Sequence, residues 1–283
     1  MTTRREIFLM LCRAAAKCYP EAEARQIAEM IIEHYGVSRN SLIIEPNAAL
    51  DIPDLEHVIA QIEAWRPVQY IIGQCEFMDM SLEVAEGVLI PRPETEELIY
   101  WIASGNKQDV DILDIGTGSG CIAIALARTV ANSRVWAMDI SSDALAIASR
   151  NAAKYAPGVQ FVEGDALADF SVHFDNKFDI IVSNPPYIPA SDKVLMRPNV
   201  TEYEPHTALF VADDDPLLFY RSIARVGRTM LKENGELYFE IYELLSAEMR
   251  EMLETEGYAD VVVREDFRGK QRMVCARVSS TMR

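Results

Sequence analysis

The stretch Val110-Asp111-Ile112-Leu113-Asp114-Ile115-Gly116-Thr117-Gly118-Ser119-Gly120-Cys121 decides the fold class. A short apolar strand, Val110–Ile115, runs into three glycines at alternate positions, and Cys121–Val130 follows with helical spacing. Glycines at a strand-to-helix turn let the backbone approach a ligand, and the amides opening the helix point at it. Outward from this turn the pattern repeats. Strands are expected at Arg134–Asp139, Val159–Glu163, Phe178–Ser183 and Glu236–Ile241, with helices at Ser142–Tyr155 and Leu217–Leu231. A helix Leu245–Glu256 and strands Asp260–Val263 and Arg272–Val278 close the chain. Such alternation implies an α/β domain with a mostly parallel seven-stranded sheet covered on both faces.

Upstream the texture is helical. Ile7, Leu11 and Ala14/Ala15 share one face up to Pro20; Ile27, Met30, Ile31 and Tyr35 share another up to Gly36; a third helix fits Asp54–Trp65. Alternation at Met80, Leu82 and Val84, then Glu86-Gly87 and Val88-Leu89-Ile90, reads as a β-hairpin bridging two domains. Pro91 and Pro93 stiffen the loop before a helix at Glu94–Ser104. The expected organisation is a helical recognition domain (1–73), a hairpin linker (74–92) and a Rossmann-like domain (93–283).

Composition bounds the function. The chain has 283 residues, 49% apolar, with 27 Lys+Arg against 44 Asp+Glu and a net charge of −17. Phosphate-backbone binding depends on Lys and Arg, so a stand-alone nucleic-acid binder is disfavoured. Cys12, Cys18, Cys75, Cys121 and Cys275 form no C-x-x-C pair, which argues against a zinc site or a disulfide framework. No signal peptide or apolar span is present, so a cytoplasmic location is expected. His34, His57, His173 and His206 show no catalytic spacing.

The loop itself selects the ligand. A dinucleotide fingerprint would place its third glycine at position 121, where Cys121 stands, and Asp114 would repel a pyrophosphate. A cofactor with a cationic amino-acid end and no phosphate suits Gly116, Thr117, Gly118, Ser119 and Gly120 better, and S-adenosyl-L-methionine is such a molecule. Asp139, ending the second strand, can accept from both ribose hydroxyls. Asp165, with Ala166 beside it, can bracket an adenine. Alone, either Asp would read as a helix cap or a solvated turn; in register at successive strand ends they form one site.

Ser183-Asn184-Pro185-Pro186-Tyr187 ends the fourth strand. Two prolines remove two donors and fix the chain, leaving carbonyls free. With the Asn184 side-chain carbonyl they supply two acceptors for the hydrogens of a planar NH₂ group, and Tyr187 offers a flat face. Acceptors aimed at those hydrogens stabilise positive charge developing on an amide or exocyclic nitrogen as it attacks a methyl group.

The motif alone does not choose among adenine, guanine and glutamine nitrogens. Arg66-Pro67-Val68-Gln69-Tyr70-Ile71-Ile72-Gly73, Phe77 and above all Val88-Leu89-Ile90-Pro91-Arg92-Pro93-Glu94-Thr95-Glu96 resemble the HemK/PrmC family. The resemblance runs from about Arg66 to Arg272. It implies a class I S-adenosylmethionine-dependent methyltransferase fold. The implied activity is methylation of the N5 nitrogen of the glutamine in the Gly-Gly-Gln motif of class I peptide-chain release factors, with S-adenosyl-L-homocysteine as the other product. It further implies that the glycine loop, Asp139, Asp165, Ala166 and Asn184 hold the cofactor, that Asn184 to Tyr187 hold the glutamine amide, and that Glu202-x-Glu204-Pro205 and Asp266-x-x-Gly269-x-x-Arg272 are landmarks of structure. Asp79, Tyr242 with Leu245, and Ala166 depart from the family's usual Gly, Gly with Gln, and aromatic residue. Arg92 and Glu94 have two readings: they line the mouth of the pocket, or they pair with each other at the surface. Two rival functions remain, a nucleic-acid amino-group methyltransferase and a scaffold that has lost its chemistry.

Overall fold

A computed structural model describes residues 2–105 and 107–278. It divides into two compact units, one running up to Gln74 together with Arg197–Tyr203, the other comprising the remainder. The first unit contains helices Arg4–Ala15, Glu21–His34, Arg39–Ile44, Leu55–Glu63 and Val68–Ile72. Thr3 opens it with a reciprocal capping box to Glu6. Ile7, Leu11 and Ala15 pack on Ala28, Ile31 and Ile32 as their spacing requires. The two shortest helices were not expected, because one turn and a half is too little for periodicity to register. The segment Arg197–Tyr203 joins this unit through an Arg197–Glu23 ion pair at 2.7 Å and a Tyr203 hydroxyl donating to the Ala64 carbonyl at 2.6 Å. The sequence by itself places that segment in the C-terminal domain, since nothing local marks a contact across more than a hundred residues.

The hairpin departs from expectation. Its strands are Gln74–Phe77 and Met80–Glu83, and Met78 and Asp79 form the turn with φ of 45° and 58°. Consecutive left-handed residues make a two-residue hairpin turn whose twist matches the strands. The usual glycine at the Asp79 position of the resembled family is thereby explained. Glu86-Gly87 is no hairpin turn, and Val88–Ile90 form no strand. Phe77, Met80 and Leu82 are buried with Leu98, Ile99 and Ile102 in the core of the second unit, so the expected linker is part of that unit.

That unit is built on seven strands: β1 Asp111–Ile115, β2 Arg134–Asp139, β3 Gln160–Glu163, β4 Phe178–Ser183, β5 Leu231–Glu240, β6 Tyr258–Glu265 and β7 Gln271–Val278. Their order is β6-β7-β5-β4-β1-β2-β3. The five from β5 to β3 are parallel, and β7 runs antiparallel to both β5 and β6. This is the mostly parallel sheet that the sequence implies. Every residue of β1 is buried. Ile112 faces one apolar layer, and Leu113 and Ile115 face the other. The chain winds from β1 outward through β2 and β3, then returns to add β4 on the opposite side. A crevice opens where the order reverses, at the carboxyl ends of β1 and β4. The Ser183 hydroxyl donates to the Ile115 carbonyl at 2.6 Å and ties those two ends together.

Candidate active site

The glycine loop emerges from β1 with Gly116, Gly118 and Gly120 at φ of 74°, 55° and 84°, values that L side chains rarely adopt. Asp114 is fully buried beneath it. One carboxylate oxygen accepts from the Thr117 hydroxyl at 2.6 Å and the Ala123 amide at 3.2 Å, so it caps the following helix. Burial pushes the Asp114 carboxyl up to about 7 against these hydrogen bonds, and the charge of Asp139 adds to the rise. The second oxygen has no hydrogen-bond partner among the described residues. Asp139, at the end of β2, accepts from the Gly118 amide at 2.8 Å through one oxygen and from the Ser141 amide at 2.9 Å through the other.

A cavity of about 270 Å³ lies over these strand ends. Of the residues expected to hold a cofactor, Gly116, Gly118, Asp139, Asp165, Ala166 and Asn184 line it. Thr117, Ser119 and Gly120 do not; they are buried below as the loop's support. Thr117 bonds Asp114, and the Ser119 carbonyl accepts from Asn151 at 2.9 Å. Asp165 spends one oxygen on the Leu167 amide at 2.8 Å, and the Ala166 carbonyl accepts from the Ser222 hydroxyl at 2.7 Å.

The walls test what fits. No Lys, Arg or His is among the described residues lining the cavity, two aspartates are, and Met138, Ile140, Phe219 and Ile223 supply apolar surface. A Cβ on Gly116 or Gly118 would meet no atom within 4 Å, so the loop leaves open space above its backbone. Such a wall suits a cationic, phosphate-free molecule with an apolar body, and S-adenosyl-L-methionine meets that description. A pyrophosphate does not.

Asn184, Pro185 and Pro186 border the same cavity. Asn184 and Tyr187 also line a second, smaller cavity of about 140 Å³ with Leu89, Arg92, Ile188 and Met196. The Tyr187 ring stacks on Tyr242 at 6.2 Å between centroids, with planes 18° apart. The arrangement therefore sets an acceptor-rich proline turn between a ligand cavity and a second opening.

The comparisons with known proteins bear on this geometry. Residues 112–197 match a family model described as a methyltransferase domain. The release factor glutamine methyltransferase of Flavobacterium psychrophilum is 41% identical over 271 residues, covering 93% of this chain and 94% of its own. That of Bacteroides thetaiotaomicron is 41% identical over 262 residues, covering 91% and 94%. The chain belongs to the release factor glutamine methyltransferase family. Among solved structures, a methyltransferase from Pyrococcus furiosus aligns with a TM-score of 0.52 at 16% identity, over 71% of this chain and 90% of that one, which speaks to the fold. The protein is thus a methyltransferase of the class I fold.

Sequence reasoning missed part of the site. Arg92 does not pair with Glu94: its guanidinium bonds Glu204 at 2.7 Å, and the other Glu204 oxygen accepts from the Ile90 amide at 3.2 Å. Glu94 instead lies 4.0 Å from Arg268. Glu204 thus anchors the loop that carries Arg92 into the wall of the second cavity. Unforeseen as well were Thr95 and Glu240, both buried. Glu240, the last residue of β5, accepts from the Thr95 hydroxyl at 2.6 Å and from the Tyr187 hydroxyl at 3.1 Å. Burial raises its carboxyl above the usual range, while those two donors pull the other way. A glutamate directly after the apolar run Leu237-Tyr238-Phe239 was the available signal.

Proposed function

We propose that this methyltransferase moves the methyl group of S-adenosyl-L-methionine to the N5 amide nitrogen of the glutamine in the Gly-Gly-Gln motif of class I peptide-chain release factors. The observation that carries this reading is the match of nearly the whole chain to relatives bearing the name release factor glutamine methyltransferase. When bound, the cofactor would supply an electrophilic methyl group on a sulfonium; as nitrogen bonds that carbon the C–S bond would break, the sulfur would leave as the neutral thioether of S-adenosyl-L-homocysteine, and the methylated nitrogen would give its extra proton to solvent. Asp139 accepts from the ribose hydroxyls with the lone pairs it has not given to Gly118 and Ser141, and Asp165 with Ala166 meets the adenine. Gly116 and Gly118 admit the cofactor close to the backbone. Asn184 and a carbonyl of the Pro185-Pro186 turn accept the two amide hydrogens, which stabilises charge growing on nitrogen and holds its lone pair in line with the methyl carbon. Pro186 and Tyr187 wall the amide. No strong base is needed before the methyl moves.

Among its described residues the helical unit carries no cluster of metal-ligating side chains, and it is assigned to recognition of the release factor, in the cytoplasm. The net charge of −17 argues against a nucleic-acid substrate. The test is incubation with labelled S-adenosyl-L-methionine and either release factor or nucleic acid, followed by mass spectrometry of the Gly-Gly-Gln peptide. Label on that glutamine is expected. Label on nucleic acid would overturn the substrate, and cofactor binding without any transfer would favour a scaffold.

A further inference from the structure

The Asn184 side chain carries an acceptor and a donor on one planar group, and a half-turn about its last torsion exchanges them at almost no steric cost. Only one orientation turns the carbonyl toward a substrate amide. We propose that Glu240, acting through Thr95, sets that orientation. Thr95 is the third residue of the helix Pro93–Ser104, and its hydroxyl has a single hydrogen. That hydrogen is committed to Glu240 Oε2 at 2.6 Å, both groups being buried. What the hydroxyl presents to Asn184 is therefore a lone pair, and Asn184 Nδ2 faces it at 3.5 Å. The contact is long, but the opposite orientation would set the Asn184 carbonyl against an oxygen with no hydrogen left to give, so the two orientations differ by the lost donation and by acceptor–acceptor repulsion together. With the NH₂ turned to Thr95, Oδ1 is left for the substrate. A carboxylate is suited to the head of such a relay because it only accepts; the Tyr187 hydroxyl on its other oxygen reinforces that sense.

This role rests on the reading of Asn184 as an acceptor for the glutamine amide. Thr95 and Glu240 touch neither substrate nor cofactor in that scheme and are positioning residues.

The experiment is single-turnover methyl transfer to release factor by Thr95→Val, Thr95→Ser, Glu240→Gln and the Thr95→Val/Glu240→Gln pair. Cofactor titration and thermal unfolding are run on the same preparations. Glu240→Gln keeps shape but brings an NH₂ group that can donate to Thr95, which frees the threonine hydrogen to turn Asn184 around. The expected loss is in kcat, roughly 10²-fold as for other small misplacements of a reacting group, with KM and cofactor affinity near wild type. Thr95→Ser should retain most of the rate. In the pair, Glu240→Gln should cost much less than it does alone, because the link through Thr95 is already cut. Folded Thr95→Val and Glu240→Gln enzymes with wild-type kcat, or losses that simply multiply in the pair, would overturn the relay. Absence of transfer by the wild-type enzyme would instead overturn the substrate reading, and this role with it.

Discussion

The backbone amide of Gly118 donates to Asp139 Oδ2 at 2.8 Å, so the residue read as a ribose acceptor also pins the middle of the glycine loop. Asp139→Ala therefore removes a charged acceptor and frees the loop at once. Hydrogen bonds to charged groups contribute about 1.5–3 kcal/mol, so S-adenosyl-L-methionine affinity should fall at least about tenfold. Asp139→Asn keeps one acceptor oxygen and should lose less. Calorimetric titration checks both, and an unchanged Kd for the alanine variant would remove Asp139 from the ribose.

Gly120 and Gly116 share a positive φ but not their surroundings. A Cβ on Gly120 would stand 3.0 Å from Ile124 Cδ1 and 3.1 Å from Ala148 Cβ, whereas one on Gly116 meets nothing within 4 Å. Backbone strain alone costs on the order of 1 kcal/mol, and overpacking adds about 1–3 kcal/mol. Urea unfolding should find Gly120→Ala less stable than Gly116→Ala by about the second amount. Gly116→Ala should lose cofactor affinity instead, since its methyl enters the cavity. Equal stability of the two variants would contradict the packing described for Gly120.

How far this site was legible in the sequence follows from where its information lies. Glycine spacing, the acidic residue ending β2 and the proline pair are local, and each carries its chemistry on its own face. The sheet was equally readable because Ile112, Leu113 and their counterparts in the neighbouring β4 are buried on both sides. Three things were out of reach. The Met78-Asp79 turn was hidden because its left-handed residues are not glycine. The partnership of Arg92 with Glu204 spans 112 residues, and sequence offered only the nearer Glu94. Thr95 and Glu240, 145 residues apart, read as one residue in a helix's first turn and one inside a strand until the fold brings them within 2.6 Å.

Asp114 gives a pH signature with a definite sign. Its carboxyl is held near 7 in the folded protein by burial, against an ordinary value of 3.8. Between about pH 4 and pH 7 the folded state keeps a proton that the unfolded chain has released, so this group's contribution to stability falls as pH rises through that window. Asp114→Asn cannot titrate. The difference in unfolding free energy, variant minus wild type, should rise from about pH 4 to about pH 7 and then level off. Urea unfolding of both proteins at a series of pH values measures it, and a difference independent of pH would show that Asp114 titrates normally.

Asn184 carries the last and most direct expectation. It directly follows β4, where the Ser183 hydroxyl anchors the strand to β1 and two prolines come next, so its backbone has little freedom to adapt. Asn184→Ala removes one of two acceptors for the amide hydrogens. By analogy with the loss of one oxyanion-hole donor, single-turnover transfer to release factor should slow by about 10²–10³-fold. Cofactor affinity should change far less, because Gly116, Gly118 and Asp139 are untouched. Asn184→Asp keeps acceptors on that side, but it also sets a second carboxylate across the Thr95 hydroxyl from Glu240, and one hydrogen cannot serve both. Its rate should therefore fall between those of wild type and the alanine variant. Transfer by Asn184→Ala at the wild-type rate would show that the proline turn does not hold the nitrogen that is methylated.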